Sequence, residues 1–412
     1  MQTSGGLHMR NGWRAFSDLQ WYQARSGLMV HLVLGSPNDL SEDTFRGLLA
    51  DALRQAPLLD FEVSLRDEAL GPAASSLAER ATYTRLPAQT TTLAEIDARL
   101  RTPEGDGGNR AARAFCIASA TPDANGTRSW MVVEAPHSLV EGADVAAILR
   151  GKALKHTERS ARAGRLTPLR RLGVPLITGL VCTYFTISSW FNRRRQENFA
   201  LSRIVLNRRD VDAAARRLGV GKRALLFGLA IHGVLASAGK RRVWITYTGL
   251  SHTQEVQGDD AYFHLRVDEL HHRVPRTGVE DGIRALARDL DRRKPSAAFM
   301  HAVEMGVIRL QHRIDRKLPW LFPPWFFGSF PEDMVLSLLP PIRLRQRWTA
   351  LGDATAMAGL SGGAMPTCIY TVQPETVTLN LWLPRPGGRA CEGILRVAAE
   401  LGLEARIASV PG

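Results

Sequence analysis

An α/β chain of two lobes is what this sequence predicts, and three observations carry that expectation. The chain has 412 residues, more than one hydrophobic core usually serves, and its 45% apolar content is enough to fill two cores. Strand-like and helix-periodic runs alternate before Leu149, and a second alternation of the same kind begins near Ser202. No repeat of about 20 to 50 residues recurs, which argues against a solenoid.

In chain order, Arg14 to Trp21 leads into an apolar strand from Met29 to Leu34, and a helix-periodic run from Ser41 to Gln55 ends before Pro57. Trp130, Met131, Val132 and Val133 are bulky and β-prone, and Pro136 then stops further ladder pairing. His137 therefore falls just past a strand end. Gly142 allows a sharp turn, and Asp144 is placed to cap a helix through Val145, Ala146, Ala147, Ile148 and Leu149. The histidine loop is braced at both ends. In the second half a strand from Ser202 to Leu206 precedes a helix from Val211 to Leu218. Gly219, Val220 and Gly221 break it before a second helix from Ala224 to Ala236 and a strand from Val243 to Tyr247.

The run Pro136, His137, Ser138, Leu139, Val140, Glu141, Gly142 resembles the HHxxxDG signature of the condensation-domain and CoA-dependent acyltransferase superfamily. That superfamily includes chloramphenicol acetyltransferase-like enzymes, wax ester synthases and BAHD acyltransferases. His137 takes the place of the second histidine, Glu141 stands where aspartate is usual, Gly142 matches the terminal glycine, and Pro136 replaces the first histidine. The two element successions look like those that open the family's two lobes. The resemblance covers most of the chain as pattern and a handful of residues as motif.

What it implies is specific. The fold would be two chloramphenicol-acetyltransferase-like lobes, each a mixed sheet flanked by helices, with the active site between them. Residues 1–165 would form the N-terminal lobe, 166–198 a connecting segment and 199–412 the C-terminal lobe. His137 would be the general base: a neutral imidazole accepts the proton of an alcohol or amine as that group attacks an acyl thioester. Glu141 would be architectural, holding the loop through an arginine that the sequence does not identify. The co-substrate would be an acyl-CoA or acyl carrier protein thioester, with no bound cofactor; a basic surface suits either acidic donor. No DFGWG motif occurs, which disfavours the BAHD branch. An O-acyltransferase of the wax-ester-synthase kind, acting on a lipid-like or membrane-associated acceptor, is nearer. The plainer alternative makes His137 a satisfied loop histidine and Glu141 a solvated first-turn carboxylate.

Charge is concentrated. From Arg150 to Arg195 the chain carries eleven bases against the single acid Glu158, a balance of +10 out of a net +13. Between Arg170 and Arg171 on one flank and Arg193 and Arg194 on the other, Leu172 to Asn192 has no charge at all and ends with Trp190 and Phe191. Bases on both sides of an apolar segment suit an anionic membrane surface, as an interfacial or hairpin-like insertion. A bilayer span is disfavoured, because it would part the two lobes and the nearly balanced flanks give no orientation. A second apolar stretch, Leu318 to Pro341, holds Trp320, Trp325 and Phe326 among prolines that exclude a regular spanning helix. The alternative is burial of both stretches, as a lobe-connecting helix and a core-covering loop.

Other signals lead elsewhere or nowhere. Cys116, Cys182, Cys368 and Cys391 are scattered and form no CxxC pair, so neither a zinc site nor a disulfide framework is implied. Met1 to Asp18 has no signal-peptide core, and the expected setting is cytoplasmic, on the inner face of the membrane. Gly359 to Gly363 matches GxSxG, but no histidine follows His312 and Pro366 interrupts a following helix, so Ser361 is expected to be a turn residue. His252, His264, His271 and His272 lie among acids without metal-binding spacing, and His232 is expected to be a helix histidine rather than a second base. Two rival classes stay open: a catalytically silent, membrane-associated binding or assembly protein, and a nucleic-acid-binding protein suggested by a pI near 10.2. No nucleic-acid motif accompanies that pI. Oligomeric state is not indicated.

Overall fold

A computed structural model describes residues 13–409 except 88–90, 101–108, 124, 141–143, 146–147, 150–167, 192–198, 237, 258–259, 276, 293–296, 324–325, 329–331, 340–345, 363–364 and 385–386. Local chemistry sets several element ends. Helix Asp18–Ser26 starts at a capping box in which Ser17 Oγ accepts from Gln20 N and the Gln20 side chain returns to Ser17 N, and it stops at Gly27 in the left-handed region (φ 68°). Ser41 caps helix Glu42–Gln55. The predicted glycine break is real: Gly219 (φ 66°) ends helix Arg208–Leu218, and helix Lys222–Ala230 follows and runs on into a π-helical stretch, Ile231–Ala236.

Two mixed sheets flanked by helices dominate. In the first lobe the strand order is Thr355–Ser361, Met29–Ser36, Ser129–Pro136, Arg113–Ser119, Thr82–Leu86, antiparallel except for the last pair. A smaller sheet of Arg14–Ala15, Ala69–Pro72, Phe61–Ser64 and Asn109–Ala111 belongs to the same half of the chain. The second lobe holds seven strands in the order Asp260–Arg273, Arg242–Gln257, Met334–Leu338, Thr367–Val372, Thr376–Pro384, Phe199–Asn207, Ala405–Ser409.

One strand changes lobes. Thr355–Ser361 comes from the second half of the chain and pairs residue for residue with the first-lobe strand Met29–Ser36, from Ser361 opposite Met29 to Thr355 opposite Gly35. Side chains alternate across that sheet. Met131, Val133 and Ala135 enter the first-lobe core, whereas Trp130 and Val132 join Val33, Ile117 and Met357 against Phe199, Leu201 and Trp382 of the second lobe. That apolar seam holds the lobes together.

The apolar connecting segment is one continuous helix, Pro168–Phe191, which corrects both the hairpin-like expectation and the fully buried alternative. Pro175 lies only two turns from its start, and Thr183 and Thr186 donate back to Gly179 O (2.9 Å) and Cys182 O (2.8 Å). One face packs Val174, Ile177, Val181 and Cys182 against Val303 and Val307 of helix Ala297–Lys317. The other face is open, with Leu172 78% and Phe191 87% exposed. Trp190, partly exposed, donates Nε1–H to Leu321 O at 3.1 Å. In the proline-rich stretch Trp320 is exposed, but Phe326 is not a surface residue: it is only 3% exposed and packs on Phe322, with ring centroids 4.7 Å apart. The aromatics there fill the first-lobe core instead. Trp325, Arg193 and Arg194 lie outside the described residues, as does the Arg170 side chain.

Candidate active site

The position of His137 follows from its neighbours. Pro136 is the last residue of its strand, opposite Met29, and His137 N adds one more rung by donating to Leu28 O at 2.9 Å. Leu139 N and Val140 N then turn back to Pro136 O (2.9 and 3.3 Å), and both of their side chains are buried in the first-lobe core with Val145, Ile148 and Leu149. The turn is pinned from below, and the imidazole stays half-buried at the strand end. Glu141 and Gly142 lie outside the described residues, so the arginine expected to hold Glu141 is not assigned.

Gln23, buried on helix Asp18–Ser26, lies with Nε2 3.4 Å from His137 Nδ1. The orientation of that amide selects the tautomer. With Oε1 toward the ring it accepts from Nδ1–H, and Nε2 keeps the free lone pair a base needs.

A buried polar layer lies along the lobe junction next to this loop. On the strand that ends at Pro136, Glu134 pairs with Arg113. Opposite Glu134 stands His31, fully buried, with neither ring nitrogen hydrogen-bonded among the described residues. Burial first, and the charge of Arg203 second, hold its pKa well below the usual range, so it stays neutral. Gly359 is required beside it, because a Cβ there would come within 2.5 Å of His31 Nε2. Arg203 reaches across from the second lobe: Nε donates to both Asp97 oxygens (3.0 and 3.1 Å), one NH2 donates to Oδ1 (2.8 Å), and the other contacts Asn380 Oδ1. Arg203 and Asp97 are both fully buried. At ~3.3 Å per strand residue, His31 sits about 10 Å from His137 along the sheet.

Ser361 is a residue that sequence reasoning placed differently. It is the last residue of its strand, in register with Met29 and through it with Pro136, and Gly362 (φ 77°) makes the turn. Strand Thr367–Val372 follows, which removes the strand–serine–helix arrangement of a nucleophile elbow. Its hydroxyl is buried and has no hydrogen-bond partner among the described residues, at the same end of the sheet as His137. The literal GxSxG match had hidden it, because only register shows its neighbours.

The helix that carries Gln23 is clamped at its start. His312 Nδ1 lies 2.9 Å from Asp18 Oδ1 and its Nε2 3.5 Å from Glu68 Oε2, and the ring stacks on Trp21 at 4.5 Å. Burial alone would lower its pKa, but the hydrogen bonds to Asp18 and Glu68 outweigh it and raise it to about 9. The folded value thus lies above the unfolded one, so this contribution is complete below pH 6.5 and is lost as pH rises toward about 9. Urea titrations at pH 6.5 and 9.5 should show a fall of about 3 kcal/mol in the wild type that is largely missing in His312→Gln.

His232, His271 and His272 have structural surroundings. His272 Nδ1 lies 2.7 Å from Asp289 Oδ2, and His271 packs on Trp244. His232 is buried in the π-helical stretch beneath Gly282, where burial lowers its pKa to about 4. The side chains of His252 and His264 are outside the described set.

No family model matches the chain, and no curated protein matches it. Solved structures do. The trichothecene 15-O-acetyltransferase of Fusarium sporotrichioides is 12% identical with a TM-score of 0.58, covering 94% of this chain and 95% of that one. A wax ester synthase/diacylglycerol acyltransferase from Marinobacter aquaeolei VT8 is 12% identical with a TM-score of 0.55, covering 93% and 98%. The first condensation domain of the calcium-dependent antibiotic synthetase is 11% identical with a TM-score of 0.55, covering 95% and 96%. The likeness runs the length of both partners, and the chain shares the fold of these two acyltransferases and of this condensation domain.

Proposed function

We propose that this protein is an acyltransferase that moves an acyl group from a thioester, acyl-CoA or acyl carrier protein, to a hydroxyl or amine of a lipid-like acceptor. One observation carries this reading: a half-buried histidine pinned at a strand end beside the lobe junction, in a fold whose solved examples include O-acyl-transferring enzymes.

With the Gln23 amide turned so that Oε1 accepts from Nδ1–H, His137 Nε2 takes the proton of the acceptor O–H as its oxygen bonds to the thioester carbonyl carbon. The carbonyl oxygen becomes an oxyanion, for which the Ser361 hydroxyl is the proposed donor. Collapse breaks the C–S bond, and the imidazolium proton passes to the departing thiolate. No cofactor is needed beyond the thioester. An ester of a membrane-derived alcohol is favoured over an amide because the open apolar helix and its basic flanks suit a lipid-bearing surface on the inner, cytoplasmic face of a membrane.

Pro136 favours one second reading, a silent homologue that binds or assembles at the membrane, since the place of the first histidine is taken by a sheet residue. Mass spectrometry of reactions holding short- to long-chain acyl-CoA and a membrane lipid extract separates the two. A new acylated lipid with loss of thioester supports transfer. Intact thioester with every acyl-CoA and carrier-protein donor supports the silent reading.

Gln23 supplies a sharper check. Gln23→Glu places a carboxylate against the ring and should move the acidic limb of kcat/KM to higher pH by about 1 unit, while Gln23→Leu should lower kcat about tenfold. Unmoved pH profiles in both variants would remove Gln23 from the base.

A further inference from the structure

Helix Pro168–Phe191 is long and apolar enough to cross a bilayer, yet the connectivity forbids a crossing. A single crossing would put residues before it and after it on opposite sides. Strand Thr355–Ser361, from after the helix, is hydrogen-bonded to Met29–Ser36, from before it, so both halves lie on one side.

What the helix presents instead is a stripe. Leu172, Leu176, Leu180, Tyr184, Ile187 and Phe191 recur at intervals of four and three, which is one helical face, and every one of them is exposed. The opposite face is covered by helix Ala297–Lys317, so the stripe cannot turn inward. Trp320 is exposed beyond the helix that packs against it. The stripe runs along about 29 Å of a helix of 24 residues, at ~1.5 Å per residue. Its sequence flanks carry charge of one sign. No acid occurs between Glu158 and Glu197, whereas Arg170 and Arg171 precede the stripe and Arg193, Arg194 and Arg195 follow it. On the covering helix Arg313 and Lys317 are exposed as well, as are Arg309 and Arg316, which pair with Asp18 and Glu68.

We infer that this helix lies flat in the surface of an anionic bilayer, with the Leu172-to-Phe191 stripe among the acyl chains and the flanking bases at the headgroups. A narrow exposed apolar face in a stretch of sequence flanked by bases on both sides matches a lipid surface better than a second copy of the chain, whose like charges would meet across the contact. From the stripe, helix Ala297–Lys317 and then helix Asp18–Ser26 lead to Gln23 and His137, two helix packings or roughly 20 Å. A long-chain acceptor held in the outer part of the bilayer would approach the base along that side.

The docking does not depend on the chemistry, so the test uses His137→Ala protein as well as wild type. Vesicles of phosphatidylcholine with and without 30% (about one lipid in three) phosphatidylglycerol are floated with each protein in low and high salt. Both proteins are expected to float with the anionic vesicles, about tenfold or more weaker with neutral ones or at high salt. Leu176→Asp/Leu180→Asp, two exposed positions, should lose a further tenfold or so while keeping its melting temperature. Equal flotation of wild type and the double variant would overturn the inference. So would light scattering showing a wild-type dimer that the double variant disperses while neither protein floats. If docking fails and acyl transfer persists on soluble acceptors, only the membrane contact is removed.

Discussion

Replacing His137 with alanine is expected to cut acyl transfer by about 10²- to 10⁴-fold, equal to roughly 3 to 5 kcal/mol on the barrier, with little change in stability. The imidazole is half-buried at a strand end, and the turn that carries it is fixed by Leu139, Val140 and backbone bonds to Pro136 O, none of which the substitution removes. The loss should fall on kcat rather than on KM, because the proton moves only as the acceptor attacks. Added imidazole should restore part of the rate to the alanine variant, since the missing group leaves a space its own size at the strand end. A variant that retains the wild-type rate would show that another group takes the proton.

The largest stability effect is expected at Arg203. Its guanidinium is fully buried, holds both oxygens of Asp97 and touches Asn380, and it comes from the opposite lobe to Asp97. Arg203→Ala leaves a buried carboxylate without its cation, which costs about 3 to 5 kcal/mol, a large share of the ~5 to 15 kcal/mol that holds an ordinary domain folded. Replacing both partners, as in Arg203→Met/Asp97→Leu, removes the stranded charge and should recover most of that loss. Urea denaturation of the two single variants and the double variant reads the coupling directly. Additive losses, with no recovery in the double variant, would mean that the ion pair does not hold the lobes.

Much of this architecture was legible along the chain, for physical reasons. Met29 to Leu34, Ser41 to Gln55 and the break at Gly219 to Gly221 announce themselves through periodicity, caps and glycine, which are local properties. His137 was legible because Pro136 is a strand terminator. What lay beyond local reading is what pairs across the chain. Thr355–Ser361 reads as any buried strand, and nothing in its composition says that it joins Met29–Ser36 in the other lobe. Ser361 and Gln23 come near the strand end that carries His137 only through that register and through helix Asp18–Ser26. Arg203 and Asp97 are 106 residues apart and were two unremarked charges among many. Phe326 misled because aromatic and proline content is the same whether a loop covers a core or faces lipid. The apolar helix posed the opposite problem: its residues are apolar on every side, and only the helix packed on Ile177 and Val181 decides which face is left for a partner.

The most direct test of the central claim is free-thiol release from a long-chain acyl-CoA, followed side by side for wild type and His137→Ala, with and without a lipid alcohol. Release that requires the alcohol, proceeds with wild type and falls at least about 100-fold in the variant is the expected result. Equal release by both proteins would contradict the assignment of His137 as the base on which the account rests.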